Sequence, residues 1–309
     1  MEHGHEEKSL DILQDIKVIG EYKDSEVISK LEAANVIEAT STSIGQEKGL
    51  GDILRVFSSI QNQPWSFTAH QYGYIGFQES KSNAPLAIQH PNAIEPDISL
   101  KNSRINIRLD RLKIHKYPGD GIHNVMVTFA ARNQVANYSQ ESVSFSQTYR
   151  VQEGQTAGIA GYPIFIGLNV GNQGVAFECS TINVNNDEDL SVLEALDSST
   201  FQSGLELLTT MQPAIAPFTA VTVGMMKSLA KRNENIPVQK FYLGLDFENA
   251  AMGIRLREGN YIAVQVSDES QIDWNKWIYK PNLGTIVHKA DDSALEYNYL
   301  VFRVSRYID

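Results

Sequence analysis

Polar and apolar residues alternate through much of the stretch 104–184, and Gly-rich turns interrupt the alternation. A period of two is typical of half-buried antiparallel strands, because successive side chains point to opposite faces of a sheet. The apolar positions are odd in 104–109 and even in 112–114. This change of parity at residues 110–111 predicts a β-bulge or a strand break.

The alternation returns after residue 236, and helical periodicity occupies residues 187–236. Short strands in hairpin-like order favour a sandwich or barrel over alternating βαβ units. We therefore predict a mainly β protein with helices (α+β). Its main unit is an antiparallel β-sandwich over residues 101–309, with a helical insertion at about 187–236. The general layout of this sandwich resembles the C2-like or jelly-roll-like classes.

Residues 1–100 are predicted to form a small, acidic α+β region. Apolar residues at three-to-four spacing indicate helices that begin near Asp24 and Gly51, and the aromatic-rich stretch 65–77 indicates a strand or hairpin. Prolines and polar residues at 79–103 are typical of an extended connector. The boundary between the two regions is therefore placed in this connector.

The chain carries 26 basic and 37 acidic residues, a formal net charge of -11. Nucleic-acid phosphates would be repelled by this charge, so nucleic acid is excluded as a partner. The single cysteine, Cys179, permits no intrachain disulfide, and the first residues lack the pattern of a secretory signal. We expect a cytoplasmic protein.

A basic stripe is predicted on the first strand of the sandwich. Residues 101–150 hold eight basic and three acidic residues, in contrast to the acidic remainder of the chain. Alternation across the parity change places the cations of this strand on one face. The stripe consists of Arg104, Arg108, Arg111 and Lys113. It could bind an anionic ligand, a phospholipid head group or an acidic protein partner. The competing interpretation is an ordinary solvated face, or a face docked on the acidic first hundred residues of the same chain.

An aromatic cluster follows at residues 273–279, where Trp274, Trp277 and Tyr279 precede the turn Lys280-Pro281-Asn282. Exposed aromatic side chains of this kind bind protein partners and other ligands. The competing interpretation is a loop that caps one end of the sandwich. This cluster is the first candidate binding patch.

The oxygen-rich loop 183–194 matches the ligand spacing of a calcium-binding EF-hand loop in part, but Glu188 stands where the sharp turn needs Gly. A helix N-terminus rich in acidic residues explains the same pattern. No cofactor motif is present, so neither a metal nor a cofactor is predicted.

Three classes of function remain open. The leading hypothesis is a non-enzymatic binding module whose partner is a protein or an anionic ligand. The second is a membrane-active protein that uses the uncharged segment 207–226. This segment contains prolines and threonines, which favour the competing interpretation of helices packed inside the protein. The third is a hydrolase with a site assembled from Asp120, His123 and Asp273, whereas Cys179 reads as a buried hydrophobe. No catalytic residue is assigned.

Overall fold

The computed structural model describes residues 12–37, 60–77, 83–134, 140–159, 161–196, 205–207, 215–248 and 253–308. The strands are β1 (Ala69–Gly76), β2 (Leu86–Ala87), β3 (Arg104–Lys113), β4 (Ile122–Gln134), β5 (Gln140–Gln152), β6 (Tyr162–Asn169), β7 (Gly174–Asn183), β8 (Leu205–Glu206), β9 (Ile236–Asp246), β10 (Gly259–Val266), β11 (Trp277–Lys280), β12 (Thr285–His288) and β13 (Tyr299–Arg306). The helices are α1 (Asp24–Ala33), α2 (Asp187–Leu196) and α3 (Ile215–Lys231). Short 3₁₀ helices cover Ile19–Glu21, Pro64–Ser66, Ile98–Leu100 and Trp274–Lys276.

Two large sheets form a sandwich. Sheet A has the strand order β1-β10-β13-β3-β6-β8, and sheet C has the order β5-β4-β7-β9. The pairings in both are antiparallel except for the short parallel pair of β6 and β8. The inward side chains meet in one core that includes Ile107, Phe129, Phe177, Leu243 and Phe302. The predicted antiparallel sandwich with helices is confirmed, while its likeness to the C2-like or jelly-roll-like classes stays a prediction.

The parity change in β3 is a β-bulge, as the sequence indicated. Against β13, Arg111 is opposite Val301 and Leu109 is opposite Phe302, so Asp110 is the extra residue. Because the bulge adds one residue, apolar side chains on both sides of it point into the same core.

Each outer face of the sandwich is covered in part. On sheet C, residues 12–16 and helices α2 and α3 pack over Met126 and Ala130, the outward positions of β4. On sheet A, the three-stranded sheet B, with the order β12-β11-β2, packs over the outward side chains of β10 and β13. These two strands are therefore apolar on both faces.

The region before residue 100 contributes directly to the sandwich. Helix α1 begins at Asp24 as predicted, and β1 falls within the aromatic-rich stretch. Since β1 pairs with β10 along its whole length, it is an edge strand of sheet A. The predicted helix near Gly51 lies outside the described residues, and the domain boundary near residue 100 stays a prediction.

Candidate functional site

The aromatic cluster is not an exposed patch. The Trp274 side chain is 1% exposed, and its indole Nε1 donates a hydrogen bond to the Tyr72 carbonyl oxygen at 2.8 Å. Tyr279 is buried beside it between sheets A and B. Trp277 is half-buried and contacts His288 edge to face. The expectation of exposure is wrong for Trp274 and Tyr279, because sheet B needs large side chains to pack on sheet A.

The cations of the basic stripe have separate environments. Arg104 stacks over the ring of Tyr307, with its guanidinium carbon 4.0 Å from the ring centroid. Lys113 is buried, and its ammonium donates to the Gly154 carbonyl oxygen. Burial lowers the pKa of Lys113. These two side chains are thus engaged within the protein.

Arg111 and Arg108 complete the stripe. Arg111 Nη1 donates to the carbonyl oxygens of Asp110 at 2.7 Å and Ile159 at 2.6 Å. Arg108 is exposed and is directly opposite Arg303 on β13. Arg108 is the exposed residue among the four predicted cations. An anion-binding function of the stripe stays a prediction, and it depends mainly on Arg108.

The calcium-loop pattern forms a helix N-terminus in the structure. Asn186 Oδ1 accepts hydrogen bonds from the backbone N–H groups of Glu188 and Asp189. Asp189 is buried, and its carboxylate accepts from Asn235 and pairs with Arg232 at 2.9 Å. Within the described ranges, no group of three or more His, Cys, Asp or Glu side chains could hold a metal ion.

The proposed hydrolase residues are not brought together. His123 is buried in sheet C, with its ring 5.8 Å from that of Tyr117, while Asp120 is exposed. Asp273 caps the 3₁₀ helix Trp274–Lys276, which packs on the opposite face of sheet A. Cys179 is fully buried, and burial raises the pKa of its thiol well above the usual value. Asp120 is close enough to His123 for its charge to act on the imidazole, but Asp273 lies in another layer, so the three groups do not form one site.

The segment 207–226 lies partly outside the described residues. Of its described residues, Leu207, Thr222 and Met226 are buried, and Val221 is exposed. Among the helices that the structure describes, none is long and apolar enough to cross a membrane.

The most distinctive polar site is a pocket that the sequence did not reveal. It has a volume of about 370 Å³ and lies in the helical layer, between residues 12–22, which we call the N-terminal segment, and the last turn of α3. We call it the lysine pocket. Its lining residues are Asp15, Ile16, Lys17, Tyr22, Lys30, Lys227, Ala230, Lys231 and Asn233.

The lysine pocket is strongly basic in an otherwise acidic protein. Four lysines and one aspartate line it. Lys227 donates to Asp15 Oδ2 at 2.7 Å, and this hydrogen bond lowers the pKa of Asp15. Asp15 thus offsets Lys227, and Glu26 lies 3.9 Å from Lys17, whereas Lys30 and Lys231 form no ion pair with an acidic side chain of the described residues.

Tyr22 supports two of these lysines. The ammonium groups of Lys17 and Lys30 lie 4.0 Å and 5.1 Å from the centroid of its ring. Burial raises the pKa of the Tyr22 hydroxyl, and the neighbouring carboxylates of Glu26 and Glu21 raise it further. Tyr22 is therefore a neutral group at physiological pH, and its ring face stabilises the nearby cations.

Helix α1 fixes the position of Lys30. Val27 and Leu31 are buried in the main core, and Lys30 shares their side of the helix because residues three and four apart are neighbours. The Lys30 side chain is consequently only 8% exposed. Burial lowers the pKa of its ammonium.

The N-terminal segment that forms the other wall is anchored to sheet C and to residue 66. The Leu13 N–H donates to Glu178 Oε2 at 2.7 Å, and Lys240 Nζ donates to the Ile16 carbonyl oxygen at 2.7 Å. Gly20 approaches the Ser66 carbonyl so closely that a Cβ atom would lie 2.0 Å from its oxygen. The wall is therefore held from two sides.

Part of this site had a sequence signal. Lys227 and Lys231 are four residues apart, which places them on one helix face. Their proximity to Lys17 and Lys30 depends on tertiary packing across about two hundred residues, for which the local pattern carries no signal.

The described residues of the pocket supply mainly lysine donors and positive charge, so its chemistry suits anion binding. Comparisons of the chain with protein-family models, with curated proteins and with solved structures found no match.

Proposed function

We propose that this protein is a non-enzymatic binding module that holds a small anionic ligand in the lysine pocket. The observation that carries the proposal is the environment of Lys30. Lys30 is 8% exposed and lines the pocket, and no acidic side chain of the described residues forms an ion pair with it.

Burial of an ammonium without a counter-charge is costly, because water no longer solvates the charge. A carboxylate within the protein normally offsets such a cost. Asp15 is the acidic residue that lines the pocket, and it pairs with Lys227. A bound anion would supply the missing counter-charge for Lys30.

The remaining lysines add to this attraction. Lys231 lies at the end of α3, and four lysines line a space of about 370 Å³. A pocket of this size accommodates a small ligand. Ligands with two or more negative charges, such as pyrophosphate or a phosphorylated metabolite, match the excess of positive charge.

Isothermal titration calorimetry with pyrophosphate tests the proposal. We expect saturable binding to the wild-type protein that weakens as salt is added. Lys30→Met keeps the apolar stem of the side chain and removes the charge, and it should weaken binding by about tenfold or more. Lys276→Met is the matched control, because Lys276 is an exposed lysine on the opposite side of the sandwich.

The control should bind like the wild type. Absence of saturable binding in the wild type, or equal affinity in all three proteins, would contradict the proposal.

A second candidate is an acidic protein partner on the basic stripe. It is supported by the direct opposition of Arg108 and Arg303, since like charges opposite each other on neighbouring strands destabilise a sheet. Asp110 offsets Arg303, to which its Oδ2 is bound at 2.7 Å and 3.0 Å. No ion pair involves Arg108 among the described residues, so an acidic partner would stabilise it. Cross-linking to an acidic peptide should then be lost in Arg108→Glu; an unchanged yield would argue against this surface.

A further inference from the structure

We infer that Lys30 is a reactive amine that forms an imine with an aldehyde carrying an anionic group. The inference rests on the proposed function, because the lysine pocket would attract the anionic group and thereby bring the carbonyl carbon to Lys30.

The geometry distinguishes Lys30 from the other lysines of the pocket. Lys227 is bound to Asp15 at 2.7 Å, and Lys17 is 3.9 Å from Glu26. Such carboxylates stabilise the protonated, unreactive form of a lysine. Lys30 has no carboxylate partner among the described residues, and it is the most buried lysine of the four.

The charges around Lys30 come from three elements. The N-terminal segment contributes Asp15, Lys17, Glu21 and the neutral Tyr22, helix α1 contributes Glu26, and helix α3 contributes Lys227 and Lys231. The carboxylates of Asp15 and Glu26 pair with Lys227 and Lys17, so they do not hold the ammonium of Lys30. Burial lowers the pKa of Lys30 from 10.5. Desolvation in a pocket is a known way to make the amine of a lysine nucleophilic.

Because of these differences, the lysines of the pocket would have two separate roles. The charged lysines Lys17, Lys227 and Lys231 would hold a phosphate or carboxylate of the ligand. The aldehyde on the same molecule would then be close to the amine of Lys30. The neutral amine attacks the carbonyl carbon and a C–N bond forms. Both amine protons leave with the carbonyl oxygen as one water molecule, so the products are the imine and water.

Reductive trapping with pyridoxal phosphate, an aldehyde that carries a phosphate, tests the inference. The wild-type protein is incubated with the probe near neutral pH and treated with sodium borohydride, which reduces the imine to a stable secondary amine. After digestion, mass spectrometry measures the label on each lysine. The fraction of neutral amine rises about tenfold for each pH unit by which a pKa falls. We therefore expect Lys30 to be labelled several-fold faster than the exposed Lys276.

Three further labelling measurements make the test more specific. Excess pyrophosphate should suppress the label at Lys30 and leave the label at Lys276 unchanged. Pyridoxal, which lacks the phosphate, should label Lys30 more slowly than pyridoxal phosphate does. Lys30→Met should lose the pocket label, whereas the control Lys276→Met should retain the label on Lys30 at the wild-type rate. Site mapping on the wild-type protein does not depend on the folding of either variant.

The outcomes separate this inference from the proposed function. If pyrophosphate binds in calorimetry but Lys30 is labelled no faster than Lys276, the reactive amine is overturned and the anion-binding pocket stands. If Lys30 reacts equally with pyridoxal and pyridoxal phosphate, and pyrophosphate does not bind, the anionic requirement is overturned together with the proposed function.

Discussion

Acidification is expected to destabilise this protein through His70, a residue of β1 that is 7% exposed. Its ring lies 5.0 Å from that of Phe241, inside the sandwich. Burial lowers the pKa of His70 from 6.5 to about 4, although neighbouring groups of Gln239 and Thr68 act in the opposite direction. The imidazole is therefore neutral in the folded protein at neutral pH.

The size of the effect follows from this difference in pKa. Well above pH 6.5 the imidazole is neutral in both the folded and the unfolded chain, so its protonation does not change the free energy of unfolding. As the pH falls towards 4, the unfolded chain binds a proton at His70 and the folded protein does not. Each unit of pKa difference corresponds to about 1.4 kcal/mol, so the free energy of unfolding should fall by about 3 kcal/mol over this interval.

The contribution of His70 can be separated from that of other titrating groups by a variant. His70→Gln removes the imidazole and retains a neutral polar side chain. Urea unfolding followed by tryptophan fluorescence gives the free energy of unfolding of both proteins at a series of pH values. The difference between them should change by about 3 kcal/mol from neutral pH to the acidic end of the range. A difference that stays constant to within about 0.5 kcal/mol would refute the assignment.

Three other predictions concern packing and charge. Trp274→Ala should lower the free energy of unfolding by about 3–5 kcal/mol in urea unfolding, because it leaves a cavity between sheets A and B, and Trp277→Ala should cost less. Gly20→Ala should lower the melting temperature and weaken pyrophosphate binding in calorimetry, because its Cβ atom would collide with the Ser66 carbonyl. Burial lowers the pKa of Lys30, so the folded protein releases this proton at a lower pH than the unfolded chain does. The free energy of unfolding of the wild type should therefore rise relative to that of Lys30→Met as the pH rises towards 10.5. Equal pH profiles of the two proteins in urea unfolding would contradict this.

The sandwich and its bulge could be predicted because alternation encodes them directly. A residue inserted in a strand changes the parity of every later side chain, so the sequence predicts a bulge or a break at residues 110–111, and the register identifies Asp110 as the extra residue. The covering of sheet A by sheet B was not visible. An aromatic stretch such as 274–279 has the same composition whether it faces solvent or another sheet, and the packing partner decides between the two.

The lysine pocket shows a different limit. The spacing of Lys227 and Lys231 predicts a shared helix face, but it gives no sign of what lies opposite. Lys30 falls on the same side of its helix as Val27 and Leu31, but the helix alone does not show what lies opposite it. The opposite wall is placed by the docking of the N-terminal segment on sheet C, through hydrogen bonds such as that between Leu13 and Glu178. Contacts of this kind join distant residues and have no local signature.

The strand order of sheet A has a consequence for how the chain folds. β1 pairs with β10, and β3 pairs with β13, so the paired residues are separated by about 190 positions in a chain of 309. Closure of such long loops is slow, because the loss of chain entropy precedes the gain from pairing. During synthesis, β1 and β3 would emerge from the ribosome well before residues 259–306 exist to pair with them. Their apolar faces are then open to association with other nascent chains, which makes chaperone assistance and slow refolding expected properties of this topology.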